Sequence, residues 1–275
     1  MTIVGFEQKS NGEIKEYLPY SEQLSSGLEK RIMFFHLFNA YMGKKMKFTK
    51  KEMLRGDNIY EVFRNKIEKI CFMPCILPGK PPVKIRSISG KFSKSVNLFL
   101  RGGYKKVINP SVSIEEAVKW IDIIKGEEGY RFLADMDDMF LHLVYERAKI
   151  VNRENRVLLY DKSILIQNHR EEVSDTLLIP TYHMIDKDNL TNEPTLYKHM
   201  QTVLKTLNQT EIRQIYLVYP KHTMFKKHIN VRMPHQVSLD EEEYNVKVIP
   251  YSFSFCTRQQ NRKVHRNTVK QTLNG

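Results

Sequence analysis

The sequence predicts a mixed α/β fold in its second half, preceded by an N-terminal α+β region. Segments with apolar residues at helical spacing alternate along the chain with short β-rich apolar runs, which is typical of a sheet flanked by helices. The 275 residues are enough for one or two domains with a large core. A hydrophobic content of 41% and an aromatic content of 11% are typical of a globular protein.

The N-terminal α+β region covers residues 1–126, and within it the sequence of residues 1–66 predicts a hairpin-like start followed by helices. Leu28–Tyr41 is apolar at helical spacing, and Gly43 is a plausible helix stop. A further helix is expected over Ser113–Lys125, with Ser113 as its N-cap. Glycines follow this segment, so we place a domain boundary after residue 126.

The second half, residues 127–256, predicts a core in which helices and strands follow each other closely. The expected elements are a helix over 130–151, strands over 156–167 and 176–185, a helix over 193–207, a strand over 214–220, a strand or irregular segment over 225–233, and a strand over 244–255. This order predicts a mixed sheet. Residues 257–275 form a basic tail without acidic residues.

The charge balance indicates a polyanionic partner. Lysine and arginine number 44 against 31 acidic residues, a formal net charge of +13. The stretch 69–114 has no acidic residue, and aromatic side chains are interleaved with its cations. A solvated basic face has the same composition, but phosphate contacts with DNA or RNA are favoured. The candidate contacts are Lys84, Arg86, Lys91, Lys94, Arg101, Lys105 and Lys106.

The cysteine content and hydropathy favour a cytoplasmic protein without membrane attachment. Three cysteines, an odd and sparse set, argue against a disulfide framework. The chain has no run of about 18 apolar residues and no secretory signal pattern at its start. Five of the histidines in the second half are expected to be surface or phosphate-contacting residues; they are His183, His199, His222, His228 and His235.

The helix expected near residue 140 carries a polar stripe, with Asp135, Asp138, His142 and Glu146 at three- and four-residue steps. Carboxylates and an imidazole on one helix face are able to bind a metal ion. Because the opposite face is apolar, the same pattern is first of all that of an ordinary amphipathic helix.

Five segments in order resemble the nuclease domain of the McrC family, the cleavage subunit of McrBC restriction systems. They are DMFLHLVYE at 138–146, YDKSILI at 160–166, LLIPTYH at 177–183, LYKHM at 196–200 and IYLVYP at 215–220. The resemblance implies a PD-(D/E)xK restriction-endonuclease-like core. It also implies a AAA+ NTPase motor as partner and, in an active enzyme, Mg²⁺ as cofactor for cleaving DNA.

The resemblance places Glu146 and Asp161 at the metal-binding positions of that family. Pro180 stands where the second acidic residue is expected, and Tyr182 stands where the lysine is expected. A tyrosine is neither a cation nor a good metal ligand near neutral pH. Lys198, on the next helix, is the candidate for a migrated catalytic lysine, and the candidates for a further ligand are His183, Asp186 and Glu193.

Three functions remain open at this point. The first is a nucleic-acid-binding, McrC-like subunit of a restriction or antiviral defence assembly whose catalytic site is impaired. The second is an active Mg²⁺-dependent DNA endonuclease that uses Glu146, Asp161 and Lys198. The third is a basic structural protein without nuclease function.

Overall fold

The computed structural model of the chain describes residues 2–43, 47–66, 131–169, 174–185, 194–233 and 243–253. The predicted basic stretch, the helix over Ser113–Lys125 and the basic tail lie outside these ranges. The chain divides into two units. One unit takes Ile3–Pro19 and the described residues from Met42 to Ala134, and the other takes Thr2, Tyr20–Tyr41 and the described residues from Asp135 onward.

The first unit contains a small sheet and two helical segments. Strands β1 (Ile3–Gln8) and β2 (Ile14–Tyr17) form an antiparallel hairpin, and β3 (Arg131–Asp135) continues the sheet in the order β2-β1-β3. Helix α2 (Lys50–Met53) begins with a capping box between Thr49 and Glu52, and α3 covers residues 59–66 within the described part.

Strands β1 and β3 approach closely at Gly5, which has a φ of +138°. A Cβ atom placed there would lie 1.9 Å from the carbonyl oxygen of Phe132. Only glycine combines this backbone conformation with the absence of a side chain. Phe63 lies at the centre of the core of this unit, with its ring 5.0 Å from that of Phe6 and 4.8 Å from that of Phe48.

The second unit has a six-stranded mixed sheet with helices on both faces, which confirms the predicted fold class. The strand order is β4-β5-β6-β7-β9-β8. The helices are α1 (Gly27–Tyr41), α4 (Met136–Val151) and α5 (Pro194–Gln209). The strands are β4 (Arg156–Tyr160), β5 (Ser163–Gln167), β6 (Thr176–Pro180), β7 (Gln214–Pro220), β8 (Ile229–Asn230) and β9 (Asn245–Tyr251).

The two faces of this sheet carry different layers. Strands β6, β7 and β9 are parallel, and α5 connects β6 to β7. Alternate residues of these strands share one core with α5 and with the segment that follows β7; the core includes Ile179, Leu196, Val203, Leu217 and Phe225. Helix α4 packs against β4, β5 and β6, and α1 packs along α4.

Several predicted element boundaries were wrong. The predicted helix over 130–151 begins only at Met136, because Arg131–Asp135 is a strand and Asp135 is the N-cap. The predicted strand over 156–167 is a hairpin that turns at Asp161 and Lys162. The strand expected over 176–185 ends at Pro180.

The segment over 225–233, expected to be a strand or irregular, contains only the short strand β8, and the strand expected over 244–255 is shortened to β9. Within the described residues, none of the helices combines the length and the hydropathy that a bilayer span requires.

Candidate functional site at the carboxyl edge of the parallel strands

Strands β6, β7 and β9 end at the same edge of the sheet. In register, Pro180 is paired with Val218, and Pro220 is paired with Tyr251. Open α/β sheets bind ligands in the crevice outside the carboxyl ends of parallel strands. The residues that follow these strands are therefore the place to examine for a functional site.

Tyr182 lies just beyond β6 and is held in three ways. Its backbone N–H donates a hydrogen bond of 2.6 Å to Oδ1 of Asp137, in the first turn of α4. Its hydroxyl donates to the backbone carbonyl of Tyr20. Its ring lies 5.7 Å from that of Phe140 and 6.2 Å from that of Phe253. Burial raises the pKa of the Tyr182 hydroxyl well above its usual range, so the group stays neutral.

A segment of five residues, Tyr20–Leu24, extends along this edge; we call it the cover segment. The Gln23 side chain donates to the backbone carbonyl of Lys221 and accepts from Phe253 N–H at 3.1 Å and Ser252 Oγ at 3.3 Å. Glu22 accepts hydrogen bonds from the backbone N–H and the hydroxyl of Thr223, at 2.8 and 2.7 Å.

The cover segment thus contacts residues that follow each of the three parallel strands. The two Thr223 hydrogen bonds lower the pKa of the Glu22 carboxyl, which favours its ionised form.

His199, on α5, forms a second polar cluster at the same edge. Its Nδ1 lies 2.5 Å from the hydroxyl of the buried Tyr219, and its Nε2 lies 3.4 Å from Oγ1 of Thr181. Burial lowers the pKa of the His199 imidazole, the Asp137 carboxylate opposes this, and the charge of His183 adds to the lowering.

One of the five histidines expected to be surface or phosphate-contacting residues is buried; it is His222, with its Nε2 2.7 Å from the carbonyl oxygen of Ile185. His199 is half-buried and hydrogen-bonded. His235 lies outside the described residues. Sequence reasoning also missed Asp137. The only signal for it was its place in the first turn of a helix, where carboxylates are common.

The predicted catalytic residues lie on three different elements of the fold. Glu146 Oε1 accepts a hydrogen bond of 2.8 Å from Nζ of Lys149, as an ion pair on α4. Asp161 is exposed in the β4–β5 turn, with a φ of +50°. Lys198 is exposed on α5, and its neighbour His199 is turned toward Thr181 instead. Among the described residues, no hydrogen bond or ion pair joins any two of the three.

The residues of the polar stripe on α4 make different contacts. Asp135 caps the helix by accepting from the N–H of Asp137, at 3.0 Å. The His142 ring packs edge-on against that of Tyr41, with centroids 5.2 Å apart. Burial lowers the pKa of the His142 imidazole, while the carboxylates of Asp138 and Glu146 oppose this.

The described residues do not by themselves supply the donor set of a Mg²⁺ site of the expected kind. In the part of the chain that the structure describes, no three His, Cys, Asp or Glu side chains come together in an arrangement that could hold a metal ion. Pro180 has no carboxylate, and Glu146 is paired with Lys149. Asp186 and Glu193, the further ligand candidates, and the seven cations from Lys84 to Lys106 lie outside the described residues.

The fold is similar to that of a solved structure. One matching chain belongs to the refined half-complex from the tetradecameric assembly of Thermococcus gammatolerans McrB AAA+ hexamers with bound McrC. The TM-score is 0.57 at 11% sequence identity, over 93% of this chain and 78% of that one. No family model matches the chain, and no curated protein matches it. The comparisons therefore establish a likeness in fold.

Proposed function

We propose that this chain is a McrC-like subunit of a restriction-type assembly, and that it binds nucleic acid without cleaving it at the inherited nuclease position. The observation that carries the proposal is the packing of Tyr182. By the resemblance, this residue occupies the position of the catalytic lysine. Its backbone N–H, hydroxyl and ring are all engaged, with Asp137, Tyr20 and Phe140 respectively.

The loss of cleavage follows from charge and geometry. Metal-dependent phosphodiester hydrolysis needs carboxylates that converge on an ion and groups that stabilise charge developing on the phosphate. A neutral tyrosine supplies no positive charge, and Pro180 supplies no ligand. Glu146 is ion-paired with Lys149, and Asp161 lies in an exposed turn.

Nucleic-acid binding is supported by the formal charge of +13 and by the acid-free stretch 69–114. Cations that neutralise backbone phosphates release condensed counterions, so this binding is expected to weaken steeply with salt. It is expected to depend little on base sequence, because phosphate contacts position a protein without reading bases.

A AAA+ partner is supported by the fold. The similar chain belongs to an assembly of McrB AAA+ hexamers with bound McrC. We propose a corresponding AAA+ NTPase for this chain, acting as the motor to which this subunit is bound.

The alternative is an active Mg²⁺-dependent endonuclease with Lys198 as the migrated lysine. One observation favours it, since Lys198 adjoins His199, whose ring reaches Thr181 directly after β6. The exposed side chain of Lys198 and the ion pair of Glu146 weigh against it. A basic structural protein, the third possibility, would bind no nucleic acid in a salt-dependent manner.

The binding half of the proposal is tested by fluorescence anisotropy with labelled DNA and RNA at several salt concentrations. We expect the logarithm of affinity to fall linearly with the logarithm of salt concentration. Alanine at Lys84, Arg86, Lys91 and Lys94 should reduce the slope by about one for each side chain that no longer neutralises a phosphate. Lys9→Ala is the control, because this exposed lysine is paired with Glu13. An affinity that ignores salt would contradict nucleic-acid binding.

The partner half is tested by affinity purification of the tagged chain from its native cells, followed by mass spectrometry and an NTP hydrolysis assay of the eluate. Retention of a AAA+ NTPase is expected. An eluate without NTPase activity and without such a protein would contradict the proposed assembly.

A further inference from the structure

The layer that α5 forms on the sheet is strongly positive. We define the α5 layer as α5 together with residues 221–233, whose apolar side chains lie in one common core; Leu196, Phe225 and Met233 are examples. The α5 layer so defined contains six lysines and arginines and no acidic residue, a balance of +6. Helix α4, which packs against β4, β5 and β6, has three acidic and two basic residues, a balance of −1.

The outward face of α5 combines an aromatic ring with cations. Tyr197, Gln201 and Lys205 follow at four-residue steps and therefore lie on one side of the helix, and Lys198 is adjacent. All four are exposed, and Tyr197 is 64% exposed although its ring is large. The helix has no acidic residue along Pro194–Gln209. Nothing on α5 itself therefore neutralises its two lysines.

Three threonine hydroxyls on or directly after α5 are already used. Thr202, Thr206 and Thr210 each donate to the carbonyl oxygen four residues earlier, at 3.3, 2.9 and 2.8 Å. The exposed polar side chains of α5 include those of Tyr197, Lys198, Gln201 and Lys205.

A rigid turn presents two more cations on this layer. Backbone hydrogen bonds in both directions join His222 and Phe225, at 3.3 and 3.2 Å, and the Phe225 ring is fully buried. Lys226 and Lys227 follow this anchor at once, and both are exposed. Their backbone is positioned before any ligand arrives, which reduces the entropy cost of binding.

We propose that the α5 layer binds single-stranded nucleic acid, with phosphates on Lys198, Lys205, Lys226 and Lys227 and an unpaired base stacked on Tyr197. That the partner is a polyanion rests on the proposed function. The choice of the α5 layer as the binding surface, and of single strands as the ligand, does not rest on it. Stacking on an exposed aromatic side chain requires an unpaired base, whereas a duplex offers only its phosphates to such a surface. The shared chemistry is the phosphodiester backbone with free base faces, which DNA and RNA both provide.

The test compares charge reversals at matched places. Lys226→Glu with Lys227→Glu is measured against Lys50→Glu with Lys51→Glu, an equal charge change at exposed lysines of α2. Fluorescence anisotropy uses a single-stranded DNA, an RNA of the same sequence and the duplex DNA, with unfolding curves as a check on folding. We expect the first variant to weaken single-strand binding about tenfold or more, and the α2 variant much less.

The aromatic contact has its own readout. Tyr197→Ala should weaken single-strand binding by about tenfold and leave duplex binding nearly unchanged, because alanine removes the aromatic face on which an unpaired base stacks. Photocrosslinking of a 5-iodouracil oligonucleotide should label Tyr197. A comparison of the affinities for the DNA and the RNA strand shows which nucleic acid this surface binds.

Three outcomes would overturn the inference. One is an equal effect of the α5-layer and α2 charge reversals on single-strand binding. If the wild type still binds in a salt-dependent manner, the proposed function stands, but the α5 layer is excluded as the binding surface. Another is an equal loss of duplex and single-strand binding in Tyr197→Ala, which removes the stacked base. A wild type that binds no nucleic acid would overturn both proposals.

Discussion

Oδ1 of Asp137 lies 2.6 Å from the backbone nitrogen of Tyr182, joining the start of α4 to the end of β6 across 45 residues of sequence. A carboxylate in the first turn of a helix is stabilised by the helix dipole. Its hydrogen bond to the N–H of Tyr182 is charge-assisted, which makes it stronger than a bond between neutral groups. Tyr182, which by the resemblance stands at the position of a catalytic lysine, is thereby held in place by the surrounding fold.

We expect Asp137→Ala to lower the free energy of unfolding by about 1–3 kcal/mol, because it leaves the Tyr182 N–H without its charged acceptor. The measurement is urea denaturation followed by circular dichroism. Asp138→Ala is the matched control, since Asp138 is exposed in the same helical turn. Equal losses in the two variants would show that the bond to Tyr182 contributes nothing.

The side-chain amide of Gln23 joins the cover segment to residues that follow β7 and β9. We expect Gln23→Ala to cost about 1–3 kcal/mol, because the carbonyl of Lys221 and the N–H of Phe253 both lose a partner. Gln209→Ala, at an exposed position at the end of α5, should change stability by less than about 0.5 kcal/mol. Hydrogen exchange at the Phe253 amide should rise in Gln23→Ala, and an unchanged exchange rate would contradict the role of the cover segment.

Stability should fall between pH 7.5 and pH 5.5. The pKa of His199 in the folded chain lies below the ordinary value of 6.5, so the unfolded state binds the proton more readily. The contribution of His199 to the stability of the folded chain is complete above about pH 6.5 and is lost as the pH falls below that value. His142 acts with the same sign.

Urea denaturation at the two pH values measures this effect, and His199→Gln should show a smaller loss on acidification than the wild type. Carboxyl groups with lowered pKa values, such as that of Glu52, remain ionised across this window. Identical losses in the wild type and His199→Gln would contradict the assignment to His199.

Substitutions at two glycines distinguish the cost of an unusual backbone conformation from the cost of steric crowding. Gly12 has a φ of +82° with open space around it, so Gly12→Ala should cost about 1–2 kcal/mol from conformation alone. Gly5→Ala adds the clash with the Phe132 carbonyl, so we expect a loss of more than about 3 kcal/mol. Thermal unfolding of both variants measures the difference, and a smaller loss at Gly5 than at Gly12 would show that β1 and β3 do not need this approach.

The sequence predicted elements with strong periodicity well. Helix α1 begins one residue before its predicted start, and β7 covers the predicted residues Gln214–Pro220. The hairpin after α4 was missed because its turn consists of Asp161 and Lys162, without a glycine. Aspartate tolerates the left-handed conformation that Asp161 adopts, so this turn forms without a glycine.

The candidate site could be predicted only in part. A resemblance located Pro180 and Tyr182 as departures from a nuclease motif, and the mixed sheet that carries them was expected. The partners of Tyr182, which are Asp137 and Tyr20, are distant in sequence. A single sequence records no such pairing, because the pairing arises from the packing of α4 and the cover segment against the end of β6.

The measurement that tests the central claim most directly is a cleavage assay with plasmid and single-stranded DNA in Mg²⁺, Mn²⁺ or EDTA. The wild type is compared with Glu146→Ala, Asp161→Ala and Lys198→Ala. We predict DNA binding without metal-dependent nicking in all four proteins. Metal-dependent nicking by the wild type that disappears in Asp161→Ala would contradict the account and establish an active endonuclease.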